Sequence, residues 1–358
     1  MWDATLPPGE LFDVIERAEV GEGLAESAFA MTGDWDGKAY DPPAAEQPGV
    51  YAWGEAHLLL AYVLQYEATA ETRYLDTFLR RFRLLLSLRD DRRGTRDILR
   101  GRVMPAWGSV RFSQGQHTCF IVHAGMLLFP AASFLDLAAK SPVLRARYAG
   151  EIEELARAVT ETVAAFDDEW HEGPGDGEGY YTDVAYGGQY LPLNQQNCLG
   201  RVMLRMLSTT GSAAYRERAE RLAVYLKNRL ILRPDGAYQW QYRPPQHPPF
   251  DGPAEDISHA AMNVDYAALC HQYGIIFTRE DLTRMAATFL QVIRRAPGRF
   301  ADYVDGSGDE NLYANVIAYW GNLAVVEPEI IRVIRATAFQ HAAPLSGPLA
   351  LLTLAVAG

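Results

Sequence analysis

The stretch Pro253-Ala254-Glu255-Asp256-Ile257-Ser258-His259-Ala260-Ala261-Met262-Asn263-Val264-Asp265-Tyr266-Ala267-Ala268-Leu269-Cys270 combines two patterns that rarely share a helix. At roughly 100° per residue, Asp256, His259, Asn263, Tyr266 and Cys270 fall within an arc of about 80°. The flanks carry Ile257, Ala260, Ala261, Val264, Ala268 and Leu269, small and apolar residues that let neighbouring helices pack on both sides. A polar stripe enclosed by such walls costs free energy unless its members bond to one another, to water or to a ligand. One reading makes Asp256 or Ser258 a helix cap and His259 a satisfied core histidine. The other makes the stripe the wall of a site.

Outward from this helix the chain repeats one unit, an apolar helix followed closely by an amphipathic one. The spacing predicts a helix through Trp53, Glu55, His57 and Tyr66 paired with 70–88, then 116–140 with 143–170 and 191–208 with 213–230. Two further pairs follow, 256–273 with 279–295 and 310–326 with 327–339. Helical spacing at 9–31 and the apolar run 345–357 are left to pair with each other and close a ring. An inner helix surrounded by others is apolar nearly all round, whereas an outer one is amphipathic. The expected fold is therefore all-α, an (α/α)6 toroid forming a single domain over residues 1–358. Residues 236–242 alternate and predict a short β-hairpin on the rim. Loops within hairpins are short and loops between them are long, so the long loops share one rim with the N-termini of the inner helices.

Composition limits the partners. The 358 residues carry a formal net charge of −12, which argues against nucleic acid or an anionic membrane. Cys119, Cys198 and Cys270 lie far apart, without metal-ligand or disulfide spacing. The N-terminus lacks the basic start and apolar core of a secretory signal, and the run 349–357 is too short to span a bilayer. A cytoplasmic protein is expected.

The hairpin succession resembles the (α/α)6-barrel superfamily of carbohydrate-active enzymes. Leu191-Pro192-Leu193-Asn194-Gln195-Gln196-Asn197, with Thr210-Gly211 at the following turn, is similar to the catalytic domain of D-glucuronyl C5-epimerases, and the architecture also resembles polysaccharide lyases and unsaturated-uronyl hydrolases. The resemblance implies a small-molecule or oligosaccharide substrate. Aromatic residues crowd the long loops, among them Trp107, Tyr186, Tyr190 and Trp240, and flat rings with polar tips suit stacking on sugars. The inner helices open with Glu55 and His57, with His123, with Asn194, Asn197 and Arg201, with the stripe itself, and with Asn311 and Tyr313.

This collection fits proton abstraction beside a carboxylate, the chemistry of uronate lyases and epimerases. Arg201 would pair with the substrate anion, Asn197 or Asn263 would bond it, and His259 and Tyr266 would exchange protons, with Asp256 and Glu55 as further catalytic candidates. The remaining expected substrate contacts are Asn194, His57, His123, Trp107, Tyr186, Tyr190, Trp240, Asn311 and Tyr313. Glycoside hydrolysis by paired carboxylates is the alternative, with Glu55, Glu255, Asp256, Asp305 and Glu310 available. An isoprenoid cyclase with an aromatic-lined cavity and a non-catalytic glycan-binding protein are two more. Residues 90–97, rich in Asp and Arg, read as a solvated loop rather than a diphosphate-metal motif. The glycine-rich residues 173–179 read as a flexible loop or lid rather than a nucleotide cradle. The Asp-x-x-His spacing is too common to assign a metal, and no cofactor is expected.

Overall fold

The computed structural model describes residues 8–15, 46–340, 352, 355 and 356, and the features below belong to those residues. The ring closure expected from 9–31 and 345–357 lies largely outside them. Within them the chain forms helices α1 (Pro8–Ile15), α2 (Glu55–Thr69), α3 (Thr72–Ser87), α4 (Ile121–Lys140), α5 (Ala149–Ala164), α6 (Leu193–Thr210), α7 (Ala213–Lys227), α8 (Ile257–Gln272), α9 (Arg279–Ala287), the 3-10 helix α10 (Ala314–Val325) and α11 (Glu329–Gln340).

These helices pair as α2 with α3, α4 with α5, α6 with α7, α8 with α9 and α10 with α11, while α2, α4, α6, α8 and α10 pack side by side in that order. The result is the all-α (α/α)6 toroid. The reason is visible in the residues. Inner helix α4 is buried on almost every side, from Ile121 through Phe134, whereas outer helix α3 buries one face, built on Tyr74, Leu75, Phe78, Leu79, Phe82, Leu85 and Leu86. Helix α4 is also long and apolar enough to cross a bilayer, but nearly all of its apolar stretch is inside the fold. Close approach of the inner helices depends on two glycines. A Cβ on Gly125 would lie 2.6 Å from the backbone of Cys198, and one on Gly200 would lie 2.8 Å from the Tyr266 ring. Gly125→Ala or Gly200→Ala would therefore force the helices apart.

Helix starts follow the expected chemistry. The Asp256 carboxylate accepts from the backbone N–H groups of Ser258 (3.0 Å) and His259 (3.1 Å), capping α8. Thr278 and Asp281 form a capping box on α9. The long loops hold short antiparallel strands. Ile231–Leu232 pairs with Tyr238–Gln239, which shifts the expected hairpin slightly toward the N-terminus. A three-stranded sheet of Trp170–Glu172, Gly179–Asp183 and Gln189–Tyr190 was not legible in the sequence, where 143–170 reads as one helix and 173–179 as a flexible loop. That glycine-rich segment is the turn of this sheet. It is fixed by the buried pair Arg229–Glu178 at 2.9 Å and by the Gly173 N–H bonding the Glu178 carbonyl.

The Asp/Arg-rich residues 90–97 also depart from expectation. Asp90 and Asp97 are buried, Asp90 bonding His117 (2.7 Å) and Asp97 accepting from Arg100 (2.8 Å) and the Cys119 N–H (2.9 Å). These acids fasten the loop to the segment leading into α4 and are not exposed as a diphosphate-metal motif would need.

Candidate active site

The N-terminal rim of the inner helices encloses a cavity of about 280 Å³. Each neighbouring element supplies a wall. The turn before α2 gives Trp53, α2 gives His57, α4 and its approach give Phe120, Val122, His123 and Met126, and α6 gives Gln195. Helix α8 gives Ser258, His259 and Met262, the end of the chain's ring gives Tyr313, Val316 and Tyr319, and the long loops add Phe112, Tyr186 and Tyr242.

His259 is the polar group of the wall that combines solvent access with a charged partner. Its side chain keeps 35% of its accessible surface, and its Nδ1 lies 2.5 Å from the Asp256 carboxylate, which also caps the helix. Burial alone would raise the Asp256 carboxyl, but hydrogen bonds from His259 and Ser258 outweigh it and hold the group below its usual range. A charged Asp256 fixes the imidazole with the proton on Nδ1, leaving Nε2 as the acceptor. Tyr242 lies against the ring with centroids 5.0 Å apart. The two readings of the opening stripe thus coexist, since one carboxylate both caps the helix and orients the histidine.

His57 and His123 line the same cavity in a different state. Burial, and for His57 the charge of Arg201, lowers its pKa to about 3, and burial with the charge of Arg111 does the same for His123. Both are neutral hydrogen-bonding groups, His57 bonding the Tyr319 hydroxyl at 2.8 Å and His123 accepting from the Trp53 indole at 3.2 Å.

Several expected site residues are turned inward. Arg201 is sealed beneath the floor, with Nη1 2.5 Å from Asp265, Nη2 3.1 Å from Met126 Sδ and its guanidinium 4.4 Å from the Phe129 ring. Its charge is consumed by Asp265, so it offers nothing to a substrate anion in this arrangement. Glu55 is held by Arg81 through two bonds of 2.7 and 2.6 Å. Tyr266 donates to the Ala219 carbonyl, and Trp107 to the Leu85 carbonyl. Trp240 stacks on Trp320 and donates to Glu255. Asn197 donates to Asn263 (2.7 Å), which donates to Glu255 (2.7 Å). Asn311 is engaged with Phe300 and Gly298. Asn194 and Tyr190 do not line the cavity either, Asn194 being buried in the first turn of α6 and Tyr190 half-buried in the edge strand. For Glu55, Asn197, Arg201 and Tyr266 the physical reason is common: a polar group on a helix surrounded by other helices finds a partner from a neighbour more often than a view of the axis.

Glu255 is adjacent to Asp256 and opposite in state. Burial, reinforced by the Asp256 charge, pushes its carboxyl well above the usual range despite the bonds from Trp240 and Asn263. Consecutive carboxyl groups whose environments drive them apart are a familiar acid and base arrangement. Here, however, Glu255 is fully buried and neither carboxylate lines the cavity; His259 stands in front of them.

No family model and no curated protein sequence matches this chain. Solved structures do. The GH76A α-1,6-mannanase from Salegentibacter sp. HEL1_6 superposes with a TM-score of 0.55 at 13% identity, over 86% of this chain and 88% of that one. The likeness is one of fold. An inactive variant of that mannanase, with two neighbouring aspartates replaced and α-1,6-mannotetrose bound, gives 0.54 at 14% identity over 84% and 87% of the two chains. A family 76 glycoside hydrolase from a bovine Bacteroides thetaiotaomicron strain gives 0.52 at 12% identity, covering 98% of this chain and 76% of that one. These neighbours are named as a mannanase and a glycoside hydrolase; at such identity the likeness shows the (α/α)6 fold alone, and it lends nothing to the epimerase likeness drawn from residues 191–197 or to the lyase likeness drawn from the architecture.

Proposed function

We propose that this protein is a carbohydrate-active enzyme that hydrolyses a neutral saccharide, with His259 as its proton-transfer group. The observation that carries the reading is the His259–Asp256 pair set in an aromatic-walled cavity. An imidazole held at Nδ1 by a carboxylate can take a proton at Nε2 from the attacking water as its oxygen bonds the anomeric carbon, and give that proton to the departing glycosidic oxygen as the old C–O bond breaks, with Asp256 stabilising the imidazolium in between. Trp53, Phe112, Phe120, Tyr186 and Tyr242 offer ring faces and edges for a sugar. Among the described lining residues there is no Arg or Lys and Arg201 is spent on Asp265, which favours a neutral saccharide; the nearest cations, Arg111 beside Phe112 and Arg243 over Tyr186, stand behind the lining rings. The fold neighbours, two of them solved with bound α-1,6-mannooligosaccharides, support the same substrate class.

One observation favours a second reading, proton abstraction followed by elimination: the described wall presents an imidazole and phenols, not the carboxylate pair that glycoside hydrolysis ordinarily uses. One assay separates them. Incubation with α-1,6-mannooligosaccharides is expected to release reducing ends with no new ultraviolet absorbance. Absorbance from an unsaturated product on uronate-containing oligosaccharides, with mannooligosaccharides untouched, would replace hydrolysis by elimination.

A further inference from the structure

Three cavity residues outside the proton-transfer pair form a unit of their own. Gln195 sits in the first turn of α6 and is 93% buried, having 7% relative exposure. Its Nε2 donates to the Tyr242 hydroxyl (3.0 Å) and to the Tyr186 hydroxyl (3.2 Å). Both amide hydrogens are therefore committed, and both phenol oxygens act as acceptors. Each phenol keeps its own O–H to donate, and among the described residues neither hydroxyl has another hydrogen-bond partner. The other end of the amide, Oε1, is buried and has no hydrogen-bond partner.

An unsatisfied buried carbonyl costs free energy comparable to a lost hydrogen bond, and it sits here on a side chain that lines the cavity. The three residues are fixed by independent local structure. Tyr186 ends a 3-10 turn capped by the Asp183 side chain and closed by Gly187 at φ 67°, and the Arg243 guanidinium covers its ring at 5.3 Å. The Tyr242 backbone carbonyl accepts from the Leu193 N–H at 3.1 Å, which ties the loop to the start of α6 itself. The unit is thus held in shape by the chain itself, and its one unpartnered acceptor and two O–H donors belong to side chains that line the same cavity.

We infer that Gln195, Tyr186 and Tyr242 form a hydroxyl-recognition subsite, selecting a saccharide with hydroxyl groups on adjacent carbons beside the bond that faces His259. The inference rests on the saccharide reading above. A sugar hydroxyl is both donor and acceptor, so one hydroxyl gives its proton to Gln195 Oε1 while its neighbour accepts from a tyrosine O–H. Tyr242 links this subsite to the proton-transfer pair, because its ring lies against His259. An apolar polycycle fits the aromatic walls but leaves the Gln195 carbonyl unsatisfied, so the subsite discriminates sugars from hydrocarbon ligands.

The test is calorimetric titration of the full chain with α-1,6-mannotriose, in a His259→Ala background so that binding is read without turnover. Adding Gln195→Met, which keeps the length of the side chain and removes the amide, is expected to weaken binding by roughly tenfold or more. Adding Tyr242→Phe instead should weaken it by about threefold, with the thermal midpoint unchanged, which guards against a Gln195 variant that fails to fold. Unchanged affinity in both folded variants overturns the inference, as does failure of the His259→Ala protein to bind any neutral oligosaccharide. If that protein binds in an amide-dependent way but wild type shows no hydrolysis, the subsite stands and the hydrolase reading falls.

Discussion

Two polar groups on the same inner helix, α8, meet opposite fates. His259, near its N-terminus, is oriented by Asp256 and keeps part of its surface open to the cavity. Asp265, six residues further on, is buried and accepts from Arg201 Nη1 and Asn322 Nδ2, both at 2.5 Å, so that both its oxygens are taken beneath the floor. A charge fully paired within the chain has nothing left for a substrate, whereas a half-exposed imidazole with one nitrogen fixed retains the other. Tyr319 marks the boundary between the two regions, bonding His57 on the cavity side and lying 5.5 Å from the Arg201 guanidinium on the other.

The comparison can be broken most sharply at its upper member. His259→Ala is expected to lower turnover of the saccharide by about 10²–10⁴-fold, with little change in folding free energy, measured as initial rates at matched folded concentration. A loss of stability in place of a loss of rate would move His259 into the structural class. The lower member should behave inversely. Arg201→Met leaves Asp265 buried and uncompensated, and chemical denaturation should show a loss of about 3–5 kcal/mol. Adding Asp265→Leu should recover part of that loss, because removing both charges removes the desolvation cost as well.

Acidification sharpens the contrast by a smaller amount. His57 and His123 have folded pKa values near 3 against about 6.5 unfolded, so the unfolded chain takes up protons that the folded one refuses. Their contribution to stability is present above pH 6.5 and is lost as the pH falls toward 3. Between pH 6.5 and 5 this amounts to on the order of 1–2 kcal/mol for each histidine. Asp183 works the other way. Burial raises it to about 6, so it favours the folded state as the pH falls from 6 toward 3.8, in spite of the Arg100 charge that pulls it down. Urea titrations at pH 6.5 and 5 should show a smaller pH effect in His123→Phe and a larger one in Asp183→Asn. The smallest effect belongs to Tyr266→Phe. It removes one bond to the Ala219 carbonyl and should cost about 1 kcal/mol of stability with turnover unchanged.

Much of the toroid was legible because inner and outer helices differ in pattern. Apolar residues on all sides of α4 and on a single face of α3 are set by how many neighbours each helix has, and that is written locally. The candidate cavity wall was legible where helix spacing alone brings two side chains together, as it does for Asp256 and His259 three positions apart. His57, His123, Tyr186 and Tyr313 also line the cavity as the loop and helix positions imply. What failed was the choice among polar residues on one inner helix. Asn194, Asn197 and Arg201 share a face, but the cavity is met by Gln195, about 100° away from Asn194. On a helix buried all round, periodicity does not say which face meets the axis. Glu55 and Arg201 find partners 26 and 64 residues away, and such pairings depend on helix packing that no local spacing encodes. Tyr242 lies two residues after Trp240 on the same loop, and partners from other elements separate the two: the Gln195 amide and the His259 ring for Tyr242, Trp320 and Glu255 for Trp240.

The most direct test is diffraction from crystals of the His259→Ala protein soaked in α-1,6-mannotriose. The account places a sugar ring in the 280 Å³ cavity, against Tyr242 and with a hydroxyl at Gln195 Oε1. A trisaccharide bound instead on the outer helices, or displacing the Arg201–Asp265 pair, would contradict it.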